Sequence, residues 1–342
     1  MKKYLLLLLS VAAFTAKAQK DKEPFMIKSL TGDAIKSVEA RTSGGSISVA
    51  GVASEARIEV YIHPGNGNDN ATKEEIQRRL DQYYDLNVSA AGGKLAAIAK
   101  NKSNDMDWKK QLSISFKIYV PKDVTTDLKT SGGSISLKDV TGKQDFATSG
   151  GSLNVENVSG KIDGRTSGGS IRVKNASDEI ELTTSGGSIN AESCKGKMRL
   201  TTSGGSLKLE DLDGDIKATT SGGSVDGENI KGELITHTSG GSIHLDDLAC
   251  SVEASTSGGN MDVKIKQLGK YVKLSNSAGS IQLELPKGKG VDLKLSGQRV
   301  KTGKLENFNG NIEDERVEGK LNGGGVPVTV RAGSGRVVLE LN

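Results

Sequence analysis

Thr-Ser-Gly-Gly opens at Thr130, Thr148, Thr166, Thr184, Thr202, Thr220, Thr238 and Thr256, eight times at a constant interval of 18 residues. A short period held that strictly restricts the chain to one kind of architecture, a small unit stacked on copies of itself. The residues between the tetrapeptides say what the unit is. Counting each Thr as position zero, position five is Ile135, Leu153, Ile171, Ile189, Leu207, Val225, Ile243 and Met261. Position seven is Leu137, Val155, Val173, Ala191, Leu209, Gly227, Leu245 and Val263. Positions ten and fourteen are mostly apolar as well. Alternation at five and seven, and again at fourteen, sixteen and zero, is the period of a strand with one face buried. Position nine carries Asp139, Asn157, Asn175, Ser193, Asp211, Asn229 and Asp247. Asp and Asn bond their own backbone and tolerate left-handed φ, so a tight corner is expected there. The Gly-Gly pair and a Gly at position twelve supply the other bends.

One such coil buries too few side chains to offset the entropy of ordering its backbone, and stacking is what makes it stable. The fold class expected is therefore all-β: a single-domain parallel β-solenoid of 18-residue coils, rising about 4.8 Å per coil. Eighteen is three hexapeptides, but inward positions five, seven, ten, fourteen, sixteen and zero do not step by six. The general preference for right-handed crossovers then favours a right-handed β-helix.

Four segments are expected. Residues 1–18 read as a signal peptide, with Lys2 and Lys3, an apolar run from Tyr4 to Phe14, and a small-x-small site at Ala16-Lys17-Ala18. The run is too short to span a bilayer, no later stretch reads as a transmembrane anchor, and no Cys follows to suggest a lipoprotein. Export to the periplasm, cell surface or medium follows, with cleavage near Ala18. Residues 19–129 hold N-terminal strands continuous with the solenoid, the first already carrying Thr42-Ser-Gly-Gly-Ser-Ile47. Thr72-Lys-Glu-Glu75 matches a helix capping box, and Ile76 and Leu80 follow at helical spacing, so residues 72–85 form a short helix covering the stack. Leu112, Ile114, Phe116, Ile118 and Val120 alternate as a strand ended by Pro121. Residues 130–275 are the regular coils. Residues 276–342 are diverged C-terminal coils, entered at Asn276-Ser-Ala-Gly-Ser-Ile281 after 20 residues instead of 18.

The formal charge of +4 falls to +1 without Lys2, Lys3 and Lys17, which argues against a nucleic-acid partner. Cys194 and Cys250 fall three coils apart, about 14 Å, too far for a disulfide, and are expected to be free thiols.

The Ser-Gly-Gly-Ser-Ile repeats, the strand Ile118-Tyr-Val-Pro121 before them and the glycine-rich close from Gly323 to Gly335 resemble a bacterial putative-adhesin family of unknown function built from β-strand repeats. The likeness spans about Ile27 to Asn342. Members typically carry Ser-Gly-Asp or Ser-Gly-Ser where this chain has Ser-Gly-Gly. The resemblance implies an extracytoplasmic β-solenoid and supplies no catalytic motif.

Chemistry has few places to reside. Outward position eight reads Lys138, Glu156, Lys174, Glu192, Glu210, Glu228, Asp246 and Lys264, with four carboxylates in succession. Outward position six adds Asp226, His244 and Asp262, beside Lys208. This acidic patch reads as a solvated face screened by salt. The same residues also allow a cation site, with Ca²⁺ the natural fit to oxygen ligands from Glu192, Glu210, Glu228 and Asp246. They allow, third, the carboxylates of a polysaccharide-acting β-helix enzyme. Asp226, His244 and Asp262 are the candidate partner contacts. His63, His237 and His244 have no metal-ligand spacing, and no nucleophile elbow or phosphate loop is present. Trp108 is the one Trp, so sugar stacking along the repeats has little support. The Thr column lies inward by parity, and its outward neighbours include only Thr183, Thr201 and Thr219 in succession, a poor ice-binding face. The function expected is an exported, non-catalytic adhesin or cell-envelope scaffold without cofactor. Its partner would be a glycan or protein of the envelope or surface, or another copy of itself.

Overall fold

The computed structural model describes residues 23–65, 71–103 and 110–342. The expected signal peptide and Trp108 lie outside the described residues, as do parts of the two polar runs in the N-terminal segment.

The chain is a parallel β-solenoid. Each regular coil gives one strand over positions five to eight, such as Ile135–Lys138 or Ile171–Lys174, and a second from position eleven to the next Thr, such as Thr141–Thr148 or Ser177–Thr184. Equivalent residues pair from coil to coil, so the two strand types build two stacks with the apolar side chains between them. The position-five residues, Ile135 through Met261, form one buried column. It runs on through Ile47 and Phe116 at one end and through Ile281 and Val337 at the other. Strands Leu207–Thr219, Val225–Thr238 and Ile243–Thr256 continue through the corner, which joins both stacks into one open 28-stranded sheet.

Corner chemistry explains the motif. The seven position-nine residues from Asp139 to Asp247 all have φ between 51° and 56°. Asp and Asn there also bond to one another along the axis: Asn157 Nδ2 donates to Asp139 Oδ1 at 2.8 Å, and Asn175 Nδ2 to Asn157 Oδ1 at 3.0 Å. At the opposite corner each Thr hydroxyl is buried and donates to the carbonyl of the second Gly one coil back, as Thr202 Oγ1 does to Gly187 O at 2.7 Å. The same oxygen accepts from the second Gly of its own coil, Gly205 N, at 3.3 Å. The second Gly is required by stacking: a Cβ on Gly205 would run into the Gly187 carbonyl, whereas one on Gly204 would sit 3.5 Å from its nearest neighbour, Ser185 O. Asn276 takes over the Thr role, its Nδ2 donating to Gly259 O at 2.7 Å and its Oδ1 accepting from Gly279 N at 2.9 Å.

Cys194 and Cys250 are buried free thiols. Burial pushes the Cys250 thiol up to about 12. Two inward positions break the apolar rule: Thr236 is buried at position sixteen, its Oγ1 donating to Ala218 O at 3.0 Å, and the larger exception is a glutamine. Gln144 is fully buried at position fourteen, where its Oε1 accepts from Thr126 Oγ1 at 2.7 Å and its Nε2 donates to Val124 O at 2.8 Å.

Chain order and stacking order part company at both ends. Thr42 pairs directly with Thr130 and Ile47 with Ile135, so the first coil lies against the regular stack. The intervening chain returns outside it, with Lys94–Asn101 beside Ser37–Thr42 and Leu112–Val120 beside Ile47–Gly51. Antiparallel strands Arg57–Pro64, Met26–Ser29 and Tyr84–Ala91 complete this end. The helix Lys73–Tyr83 packs on it through buried Leu80. Thr72 caps the helix by accepting from Glu75 N at 3.3 Å, but the Glu75 carboxylate pairs with Arg78 and Arg79 and not with the cap. At the other end, Val326–Ala332 and Arg336–Leu341 lie between the Asn276 coil and the earlier segment Val291–Thr302. The antiparallel hairpin of Phe308–Ile312 and Arg316–Leu321 follows outermost.

Candidate functional site

Positions six and eight point outward from the stack of short strands. The register sets Lys208, Asp226, His244 and Asp262 side by side in one column and Glu192, Glu210, Glu228 and Asp246 in the next. Mutual repulsion in the second column is offset by lysines. Lys174 Nζ is 2.6 Å from Glu192, Lys208 Nζ is 2.6 Å from Glu210, and Lys264 Nζ is 3.1 Å from Asp246. The Lys264 hydrogen bond holds the Asp246 carboxyl below its ordinary range. His244 Nδ1 lies 3.4 Å from Asp262 Oδ2. Asp226 and Glu228, two apart on one strand, are left without an ion pair among the described residues.

These two carboxylates border a concavity of about 160 Å³ lined also by Lys208, Glu210, His244 and Asp246. Its floor is Gly227, the one Gly at position seven. The core beneath is closed by neighbours, since a Cβ on Gly227 would approach Leu245 Cδ2 to 2.7 Å and Ile230 Cδ1 to 3.0 Å. On the outer face the concavity is about the size of one side-chain head group and is rimmed by carboxylates. Glu192 lies one coil outside it. No three Asp, Glu, His or Cys side chains among the described residues converge as a metal site would require.

A longer acidic column lies on the other stack and was not singled out from the sequence. Glu39, Asp127, Asp145, Asp163 and Glu181 pair in succession at outward position fifteen. Arg41 bonds both Glu39 and Asp127, Lys94 bonds Glu39 at 2.6 Å, and Arg165 bonds Asp163 at 2.8 Å. The hydrogen bonds from Lys94 and Arg41 bring Glu39 down to about 2. Asp163 goes the other way, raised by burial against the pull of Arg165, with Asp145 and Glu181 adding to the rise. Tabulating position fifteen at an interval of 18 would have found Asp145, Asp163 and Glu181. Asp127, a further 18 residues upstream, continues the same series, and Glu39 needed the structural register.

Residues 200–340 match the family model Toastrack DUF4097. The matched stretch is under half of the chain and takes in most of the patch and nearly all of the C-terminal end. No curated protein is a recognisable relative. Among solved structures, a putative lipid binding protein of Parabacteroides distasonis is 12% identical, with a TM-score of 0.27 over 94% of this chain and 98% of that one. A putative cell adhesion protein of Clostridium sporogenes is 10% identical, with a TM-score of 0.23 over 93% and 98%. A putative adhesin of Bacteroides fragilis is 10% identical, with a TM-score of 0.23 over 93% and 96%. No helix among the described residues is long and apolar enough to cross a membrane.

Proposed function

We propose that the protein is an exported, non-catalytic interaction scaffold of the cell envelope or surface, adhesin-like in role, that engages a basic group of its partner at Asp226 and Glu228. The observation that carries this reading is the concavity over Gly227, where Asp226 and Glu228 have no ion-pair partner among the described residues while Glu210 and Asp246 beside them are paired with lysines. A guanidinium or ammonium entering there meets two acceptors presented by a rigid strand, the arrangement in which charge-assisted hydrogen bonds are strongest. The patch is ill suited to glycoside cleavage. A general acid needs a raised pKa, and Asp246 is held low by Lys264. The repeated corner residues are engaged with backbone and with each other, which leaves the broad face as the part of the molecule open to a partner.

Recovery of envelope and surface components on immobilised protein tests the reading. The Asp226→Lys/Glu228→Lys variant should lose the partner that the unaltered protein retains. Equal recovery from both would remove the patch from the argument, and turnover of any glycan would overturn the non-catalytic assignment.

A further inference from the structure

A second concavity, of about 430 Å³, opens at the C-terminal end of the solenoid, remote from the acidic patch in the fold and opposite to it in chemistry. Segments far apart in sequence build it: the turn at Lys287, the loop from Gly303 to Asn307, the strand end at Leu321-Asn322 and the last strand at Leu341. Its volume falls within the range of small-molecule clefts, where the patch concavity does not.

Its walls divide by chemistry. Half-buried Leu341 presents the apolar side, and Leu321, only 2% exposed, is closed off in the core beside the cleft. The rest of the lining includes Lys287, Lys304, Asn307 and Asn322, with Asn307 Nδ2 donating to Asn322 Oδ1 at 3.4 Å. The single lining carboxylate, Glu306, sits 3.3 Å from Lys304 Nζ in a largely exposed pair. Lys287 has no ion pair among the described residues, so one positive charge is left over. The framework is fixed from beneath. Lys287 N donates to Asn342 O at 2.7 Å, Asn322 N to Asn307 O at 3.0 Å, and Asn322 Nδ2 to Lys289 O at 3.1 Å. Lys287 therefore projects from a pinned turn beside an apolar wall, which is the pairing that an anionic head group on a compact organic body requires.

We infer that this cleft binds a small carboxylate-bearing ligand of about monosaccharide size, an acidic sugar being the class that best fits it. The carboxylate sits on Lys287, with Lys304 shared between it and Glu306, a ring hydroxyl meets Asn307 Oδ1, and the ring's apolar face lies on Leu341.

Titration of the full chain with glucuronate, followed by calorimetry or NMR, tests this, with glucose and inorganic phosphate as the uncharged and the ring-less controls. Glucuronate should bind at least about tenfold more tightly than either control, and Lys287→Gln should weaken it by about tenfold without shifting the melting temperature. Lys304→Gln, on a different segment, should weaken it in the same direction. Absence of glucuronate binding, indifference to both substitutions, or phosphate binding as tightly as glucuronate would each overturn the inference. The Asp226→Lys/Glu228→Lys variant should bind glucuronate as the unaltered protein does, so failure here and failure of the patch are separately readable.

Discussion

Replacing Thr202 by Val tests whether the threonine ladder, and not the apolar columns alone, holds the coils in register. The substitution keeps the β-branched shape and removes one oxygen. That oxygen donates to Gly187 O at 2.7 Å and accepts from Gly205 N at 3.3 Å, on a residue 2% exposed. Both partners lie in a half-buried turn against the next coil, so water can replace the hydroxyl only in part. An unsatisfied buried group costs about 1–3 kcal/mol. The carbonyl bears most of this, because its bond is 2.7 Å against 3.3 Å for the amide. The added methyl recovers a little apolar contact. Because the turn is half-buried, a net loss of about 1 kcal/mol is expected. Urea unfolding followed by circular dichroism should show it as a lower midpoint with unchanged slope. Thr201→Val, one residue away on the outward side, is the control and should stay within about 0.5 kcal/mol of the unaltered protein. If Thr202→Val also stayed within that margin, the ladder would be a consequence of the stack and not a cause of its register.

Two further outcomes are expected. Gly204→Ala should be tolerated and Gly205→Ala should destabilise by about 3 kcal/mol or prevent folding, since only the second Cβ meets a backbone carbonyl; equal midpoints for the two would contradict the stacking geometry. Cys194 and Cys250 should resist a thiol reagent until the chain is unfolded. Because the Cys250 thiol is raised from 9.0 to about 12 in the fold, its contribution is complete below pH 9 and lost as pH climbs towards 12. Cys250→Ala should flatten that alkaline decline, and an unchanged pH profile would count against it.

The regular coils were legible because each restates the same instructions. One Ile at position five is ambiguous, but eight apolar residues at the same offset fix a face, and seven Asp, Asn or Ser at position nine fix a left-handed corner. The sidedness of the candidate patch came from the same parity. Its ion pairs were readable in part: Lys174 and Glu192 sit in one column an interval of 18 apart, but Lys208 and Glu210 are two apart on one strand and compete with other pairings. Gln144 defeats the apolar rule at position fourteen because Thr126 supplies its partner, and Thr126 belongs to the stretch that enters the repeat without the signature.

The ends were not legible, and the reason is physical. A coil inside the stack has the same neighbour above and below, so its sequence can repeat. A terminal coil must leave one edge open, and an open edge recruits other chains. Here the chain closes each end by passing the edge and returning to cover it. Thr42 therefore meets Thr130 across 88 residues, and Val337 lies between Ile281 and Val300 although both precede it. Strands in such a place have unlike neighbours on their two edges, and some turn antiparallel, which removes the constraint that kept the period. Loss of the repeat thus marks where the solenoid ends without saying which strand covers which. The C-terminal cleft is built of just those aperiodic segments, brought together only by the returning chain. A site assembled in that way leaves no spacing for a sequence to display, whereas the patch over Gly227, built from consecutive coils, displays nothing else.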